Sequence, residues 1–360
     1  MMGALVGLMV GDSLGLPSDG YRNLMLLKKD YGWISSYVDP KSPHPHSQMV
    51  HCKCPYSFRG EQLLMHTTGR FCGESGVHPH HNLCAGSNTL PAKLTRLLMR
   101  TIVDSKSYDR GKYMDAFLRF MLQSEDDHDT YLEPVIVDFF EAYGRGINPD
   151  KCASEEADAV TAHFVRADIS QTVLSGVVFV APLLLAKYAD ADVEAVVSGH
   201  LELLYRSEPL VNLSLRVADA LGRLLRGHSL LWVLEDFGVE LGLRLEHLAT
   251  LSDQEVLKSA HTDDSTLESC LPCALTLAFK HAASFEDAVV ASANGGGNSC
   301  NRGAIVGMLM GAAHGIDGIP PRLSDNLQDA DAIANLILEF VALVDEPSVP
   351  WSGAPMPADG

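Results

Sequence analysis

Two stretches at opposite ends of the chain share one glycine pattern: GALVGLMVGDSLG (residues 3–15) and GAIVGMLMGAAHG (residues 303–315). Glycine recurs every fourth residue in both, and this spacing lines one face of an α-helix. Because glycine destabilises a helix by about 1 kcal/mol relative to alanine, the repeated glycines indicate that another backbone approaches that face. The pattern predicts two neighbouring helices that bring the chain ends together, although two unrelated small-residue faces would give the same spacing.

Most of the remaining chain has the periodicity of amphipathic helices, because apolar residues recur every three to four positions. Only residues 32–38 have the alternation of a strand, and no Pro/Ser-rich linker divides the chain. We therefore predict an all-α fold, a single-domain compact helical bundle over residues 1–346, followed by a loose tail over 347–360. The predicted helices cover residues 94–103, 113–123, 131–143, 193–206, 211–226, 272–282, 285–293 and 330–344.

The composition excludes several classes of protein. The 360 residues carry a formal net charge of −19, which disfavours binding to nucleic acid or to an anionic membrane surface. The longest apolar stretch, residues 172–186, is shorter than a membrane span and predicts a buried core helix. The N-terminus lacks the basic region of a signal peptide, so we expect a cytoplasmic protein whose eight cysteines are reduced. The sequence leaves the oligomeric state open.

The segment SANGGGNSCNRGAIVGMLMGAAHG (residues 292–315) is the strongest candidate for a functional site. Its three consecutive glycines allow a close approach to a ligand, and the polar residues that follow stand at the start of a predicted helix, where anions are favoured. Neither a Walker A motif nor a dinucleotide-binding fingerprint is present.

These motifs resemble those of the ADP-ribosylglycohydrolase (DraG/ARH-like) family. The family signature reads Asn-x-Gly-Gly-Asp-x-Asp-Thr before a helix of the form Gly-Ala-Ile-x-Gly-x-x-x-Gly, as in residues 294–311. The N-terminal GALVGLMVGDSLGLP is similar to the family's opening motif. The crystallin J1-like branch is the closest match, because its signature carries a cysteine and because residues 127–133 (DHDTYLE) are similar to that branch.

The resemblance implies an all-α glycohydrolase with two Mg²⁺ ions, but this chain departs from the family at the metal positions. Glu61 and Gln62 fall at the first acidic motif, while Asn298, Cys300 and Asn301 replace two aspartates and a threonine of the signature. Mg²⁺ prefers charged oxygen ligands, and a thiol suits it poorly. We therefore expect Mg²⁺ binding at Glu61, Asn298, Cys300 and Asn301 to be weak or absent.

A second acidic pair, Asp263 and Asp264, lies before the signature segment. It is either a substitute metal site or a helix N-cap with acidic residues in the first turn.

The function implied by the resemblance is hydrolysis of a glycosidic bond of ADP-ribose, or of a related ribosyl compound, in a small-molecule or ADP-ribosylated substrate. Glu61 would be the catalytic carboxylate, with Asp12, Asp127 and Asp129 nearby. The alternative is an inactive pseudoenzyme, a ligand-binding protein or a crystallin-like structural protein on the same scaffold. The residues expected to bind the ligand are Gly295, Gly296, Gly297, Asn298, Ser299, Cys300 and Asn301.

Cysteine and histidine are concentrated over residues 44–84. This segment could be a polar loop, a structural zinc site or a cover over the active site, although the spacing is not that of a zinc finger. Cys300 at a helix N-terminus could also have a lowered pKa and act as a nucleophile, whereas Cys270 and Cys273 are expected to be buried thiols.

Overall fold

The computed structural model describes residues 1–52, 63–64, 71–123, 129–153, 173–186, 193–259 and 267–345. This part of the chain is helical and contains no β-strand, which confirms the predicted all-α class. The proposed tail, residues 347–360, lies outside the described residues. The helices are α1 (Met2–Gly15), α2 (Leu24–Tyr31), α3 (Leu90–Ser105), α4 (Arg110–Gln123), α5 (Pro134–Gly144), α6 (Ser175–Leu185), α7 (Val193–Leu201), α8 (Glu208–Leu225), α9 (Leu230–Glu240), α10 (Leu245–Leu248), α11 (Asp253–Ser259), α12 (Leu267–Lys280), α13 (Phe285–Ala293), α14 (Ser299–His314), α15 (Pro321–Ser324) and α16 (Ala330–Val344).

The two glycine-patterned helices, α1 and α14, pack directly against each other. A Cβ atom built on Gly7 would lie 2.1 Å from the carbonyl oxygen of Gly307, and one built on Gly307 would lie 1.9 Å from that of Gly7. Gly11 and Gly303 approach in the same way. The prediction of two neighbouring helices is therefore confirmed, and any larger side chain at these positions would separate the backbones.

Helices α1 and α14 lie in the centre of the molecule. Every residue of α1 from Gly3 onward is buried, and α14 is buried from Ser299 to Ala312. Helices α8, α12 and α13 pack around α14, and α16 packs on α1. Helix α6 is buried throughout, as predicted for residues 172–186. The N-terminus of α14, where Ser299 and Cys300 are buried, therefore lies inside the bundle.

Capping residues explain why some helices begin at residues other than those that the periodicity predicts. Helix α8 begins at Glu208, three residues before the predicted start, because the Ser207 hydroxyl accepts a hydrogen bond from the Leu210 N–H. Helix α5 begins at Pro134, where proline is favoured in the first turn.

The segment with strand-like alternation, residues 32–38, is not a strand. The Ile34 N–H donates to Asn294 Oδ1 at 2.9 Å, and Asn294 Nδ2 donates to the Ile34 carbonyl at 2.7 Å. A side chain therefore satisfies the backbone groups that a neighbouring strand would have used. None of the described helices is long and apolar enough to cross a membrane.

Candidate functional site

Three segments meet at the N-terminus of α14. The chain leaves α1 through a short 3₁₀ turn, Leu16–Ser18, and reaches Asp19 immediately afterwards. His80 lies in the segment that leads to α3, and Cys300 is the second residue of α14. His80 Nε2 is 3.1 Å from Asp19 Oδ2 and 3.8 Å from Cys300 Sγ.

The N-terminus of α14 orients the Asp19 carboxylate. Asp19 Oδ1 accepts a hydrogen bond from the Ser299 N–H at 2.9 Å, and the Ser299 hydroxyl donates to the Gly15 carbonyl at 2.7 Å. A carboxylate is favoured at a helix N-terminus because the first N–H groups have no partner within the helix. One oxygen of Asp19 is thereby fixed, and the other faces His80.

His80 is buried between two carboxylates. Its Nδ1 lies 2.7 and 2.8 Å from the two carboxylate oxygens of Asp129, and its Nε2 faces Asp19. Burial opposes a positive charge on the ring, but the Asp129 carboxylate and the hydrogen bond to Asp19 outweigh this effect and raise the pKa of His80 well above its ordinary value. In the absence of a metal, His80 is therefore an imidazolium that donates hydrogen bonds on both sides.

Cys300 is a buried thiol. Burial and the nearby Asp19 carboxylate raise its pKa well above the ordinary value, an effect that His80 only partly offsets. The prediction of a lowered pKa for Cys300 is therefore wrong, because burial and the Asp19 carboxylate outweigh the opposing effect of His80.

Asp12 lies on α1 beneath this cluster. Its carboxylate accepts hydrogen bonds from the Thr89 N–H at 2.8 Å, the Thr89 hydroxyl at 2.5 Å and the Asn88 amide at 3.0 Å. Complete burial nevertheless raises the pKa of Asp12 to about 6, because these hydrogen bonds only partly compensate for lost hydration. Asp12 thus fixes the start of α3 beside the site.

Glu133 brings a further carboxyl group to the site. Its Oε2 accepts hydrogen bonds from the Ser175 hydroxyl at 2.7 Å and the Tyr205 hydroxyl at 3.3 Å. Burial raises the pKa of Glu133, the charge of Asp19 raises it further, and the amide of Asn301 opposes this. Asp19 and Asn301, in the first turn of α14, therefore both affect the pKa of Glu133.

Two side-chain amides of the signature segment form a hydrogen bond with each other. Asn301 Nδ2 donates to Asn298 Oδ1 at 3.0 Å. Asn301 Oδ1 is buried and has no hydrogen-bond partner among the residues that the structure describes. A buried amide oxygen without a partner is costly, and it is available to a ligand group.

The three glycines of the signature segment are buried against protein. Gly297 exchanges backbone hydrogen bonds with Gly20 and Tyr21, each at 2.8 Å. A Cβ atom on Gly296 would lie 2.2 Å from the Tyr21 carbonyl oxygen, and one on Gly295 would lie 2.2 Å from Leu257. These glycines are therefore needed for packing, and their contact with a ligand stays a prediction.

Histidines of the segment 44–84 support the same region. His44 bonds to the Asp19 carbonyl and His78 to the Pro17 carbonyl. Burial lowers the pKa of His44 to about 4 and that of His78 well below its ordinary value, so both rings are neutral near pH 7. The described part of this segment thus packs on the turn after α1. Cys54 and His66, which a zinc site within the segment could use, lie outside the described residues.

Comparison with known proteins assigns the family. The family model described as ADP-ribosylglycohydrolase matches residues 1–349. The chain belongs to the ADP-ribosylglycohydrolase family. A solved structure titled "ADP-ribosylglycohydrolase-related protein complex" is similar, with 19% sequence identity, a TM-score of 0.56, and coverage of 95% of this chain and 97% of that chain. At this identity the similarity supports the fold alone. Comparison with curated proteins gives no match.

Several residues assigned through the family resemblance lie outside the described residues, namely Glu61, Gln62, Asp127, Asp263 and Asp264. Their roles stay predictions. The structure brings Cys300, Asn301 and Asp129 into one site. It adds Asp19 and Glu133, which the sequence analysis did not select, and His80, which the sequence analysis included only within the segment 44–84. The HPHH run that contains His80 is the available signal, and the sequence alone leaves it open as part of a polar loop, a structural zinc site or a cover over the active site.

The described residues do not fit the two Mg²⁺ ions that the ADP-ribosylglycohydrolase family implies. Asp12 and Asp129 already accept hydrogen bonds from neighbouring protein groups. The potential metal ligands that lie together are Asp19, His80 and Cys300. A nitrogen and a sulfur donor are poor partners for Mg²⁺, which prefers several oxygen ligands.

Proposed function

We propose that this chain hydrolyses a glycosidic bond of ADP-ribose or of a related ribosyl compound at the N-terminus of α14. The observation that carries the proposal is the position of Glu133. This part-buried residue is held by the Ser175 and Tyr205 hydroxyls, its pKa is raised, and it interacts with Asp19 and with Asn301 in the first turn of the helix that contains the family signature.

Glu133 is the proposed proton carrier. Glycoside hydrolysis commonly uses a pair of carboxyl groups, one of which gives a proton to the leaving group. Burial favours the protonated form of Glu133. Glu133 would then protonate the leaving group, and Asp19, whose Oδ1 accepts a hydrogen bond from the Ser299 N–H, would be the second carboxyl group.

The polar groups around these carboxyls suit a ribose. The free carbonyl oxygen of Asn301 can accept a hydrogen bond from a sugar hydroxyl. The adjacent helix N-terminus favours an anionic group such as a diphosphate. We propose a small-molecule or ADP-ribosylated substrate and place the chain in the crystallin J1-like branch and in the cytoplasm, with neither nucleic acid nor membrane as a partner.

The internal pairing of charges favours one competing function, a catalytically inactive binding or structural protein. His80 is held by Asp19 and Asp129, and uncharged Asn298 and Cys300 stand where the family signature carries acidic or metal-binding residues. A protein with this arrangement could bind the ribosyl compound and leave the glycosidic bond intact.

The test is release of ADP-ribose from an ADP-ribosylated peptide by the unmodified protein and by Glu133→Gln. We expect turnover by the unmodified protein and a loss of about 100-fold or more in Glu133→Gln, since general acid–base catalysis contributes about 10²–10⁴-fold. The matched control is Glu246→Gln, which changes an exposed glutamate on α10 and should retain full activity.

Thermal unfolding with ADP-ribose separates the two functions. Ligand at 100 times its dissociation constant should stabilise the fold by about 2.7 kcal/mol. Stabilisation without turnover would favour the binding protein, and the absence of both would reject the proposed substrate class.

A further inference from the structure

We propose that Asp19, His80 and Cys300 bind one borderline transition-metal ion of the Zn²⁺ type. One ligand atom from each residue lies within 4.8 Å of the other two. Carboxylate oxygen, imidazole nitrogen and cysteine sulfur are the three donor types that proteins use for Zn²⁺. The inference does not depend on the proposed hydrolysis.

Two of the three donor–donor distances are close to the edges of a tetrahedral site. With metal–ligand bonds of about 2.0–2.3 Å, tetrahedral geometry puts neighbouring ligand atoms about 3.3–3.6 Å apart. Asp19 Oδ2 lies 3.1 Å and Cys300 Sγ lies 3.8 Å from His80 Nε2. Each of these two distances is within a few tenths of an ångström of a tetrahedral edge, and the third, between Asp19 and Cys300, is at most 4.8 Å.

The surrounding hydrogen bonds already orient the ligands. His80 Nδ1 is bonded to the Asp129 carboxylate, which leaves Nε2 to face the other two donors. This carboxylate–histidine arrangement recurs around zinc, where it fixes the ring and increases its basicity. Asp19 is held in the same manner, because the Ser299 N–H binds Oδ1 and leaves Oδ2 directed toward His80.

A divalent ion would also balance the charge of the site. Asp12 and Asp129 are buried carboxylates, and Asp19 is partly buried beside them. Ionised groups are expensive to bury unless they are paired or coordinate a metal. Three protein ligands leave the fourth position of a tetrahedral ion open, as in catalytic rather than structural zinc sites.

Titration of the metal-free, untagged full-length protein with Co²⁺ tests the proposal, because Co²⁺ substitutes for Zn²⁺ and has a visible spectrum. We expect one bound ion per chain, a thiolate-to-cobalt charge-transfer band, and displacement of Co²⁺ by Zn²⁺ but not by Mg²⁺. Cys300→Ala should abolish the charge-transfer band, and Cys273→Ala, which removes a buried thiol on α12, should retain it. Asp129→Asn should bind the ion about 10- to 100-fold more weakly.

A charge-transfer band that persists in Cys300→Ala would place the ion elsewhere and overturn the proposal. Absence of Co²⁺ binding by the folded protein would overturn it as well, as would preferential binding of Mg²⁺. Circular dichroism on each variant establishes that loss of binding is not loss of folding. Hydrolysis by a folded protein that fails to bind Co²⁺ would leave the proposed function intact and remove only this inference.

Discussion

His80 Nδ1 lies within hydrogen-bonding distance of both carboxylate oxygens of Asp129, at 2.7 and 2.8 Å, although 49 residues separate them. This pair joins the segment before α3 to the segment before α5 and directs the second ring nitrogen toward Asp19 and Cys300. The electrostatics of the site follow from this arrangement, since an unpaired buried histidine would be neutral.

Replacing a glycine at the α1–α14 contact should destabilise the protein strongly. In Gly7→Ala, the new methyl group would lie 2.1 Å from the Gly307 carbonyl oxygen, so the two backbones would have to separate. We expect a loss of about 3 kcal/mol or more, at the upper end for an overpacked core. Denaturation in urea measures the change.

The matched control for that substitution is Gly199→Ala in α7, where a Cβ atom would meet nothing within 4 Å. Because alanine is the better helix former, this variant should be as stable as the unmodified protein or about 1 kcal/mol more stable. Equal effects at Gly7 and Gly199 would contradict the close approach of the two helices.

This contact was predictable from the sequence because a four-residue glycine repeat is a local pattern that lines one helix face, although two unrelated small-residue faces would have given the same spacing. The site was predictable only in part. Cys300, Asn301 and Asp129 were accessible through the family resemblance, but His80 is 61 residues from Asp19 and 220 from Cys300, and neither Asp19 nor His80 belongs to a segment with a recognisable ligand spacing. Likewise, Glu133 is positioned by hydrogen bonds from the hydroxyls of Ser175 and Tyr205, which only tertiary packing brings close to it.

Asp12 should make the protein less stable as the pH rises. Its pKa is raised by burial from 3.8 to about 6, so the folded state binds more protons than the unfolded state between these values. The contribution of Asp12 to the free energy of unfolding is fully present below about pH 4 and is lost as the pH rises through about 6. A shift of this size corresponds to about 3 kcal/mol at pH 7.

The measurement is the free energy of unfolding of the unmodified protein and of Asp12→Asn between pH 4 and 7. Asparagine resembles the protonated acid, so the variant should gain stability relative to the unmodified protein as the pH increases. A difference that is constant with pH would show that Asp12 does not titrate in this range.

Metal removal should lower the melting temperature. If Zn²⁺ binds at Asp19, His80 and Cys300, then saturation at 100 times the dissociation constant stabilises the fold by about 2.7 kcal/mol. Differential scanning calorimetry before and after treatment with a chelator measures this difference. His80→Gln should remove the stabilisation by Zn²⁺, and equal stabilisation of this variant and the unmodified protein would refute the assignment.

A crystal structure of Glu133→Gln with ADP-ribose tests most directly whether the N-terminus of α14 is the site of ribosyl chemistry. The substitution retains the shape of the side chain and removes its acid. We predict that the ribose lies between residue 133, Asp19 and Asn301, with a hydroxyl bonded to the free amide oxygen of Asn301. ADP-ribose bound at another surface, away from residue 133, Asp19 and Asn301, would contradict the account.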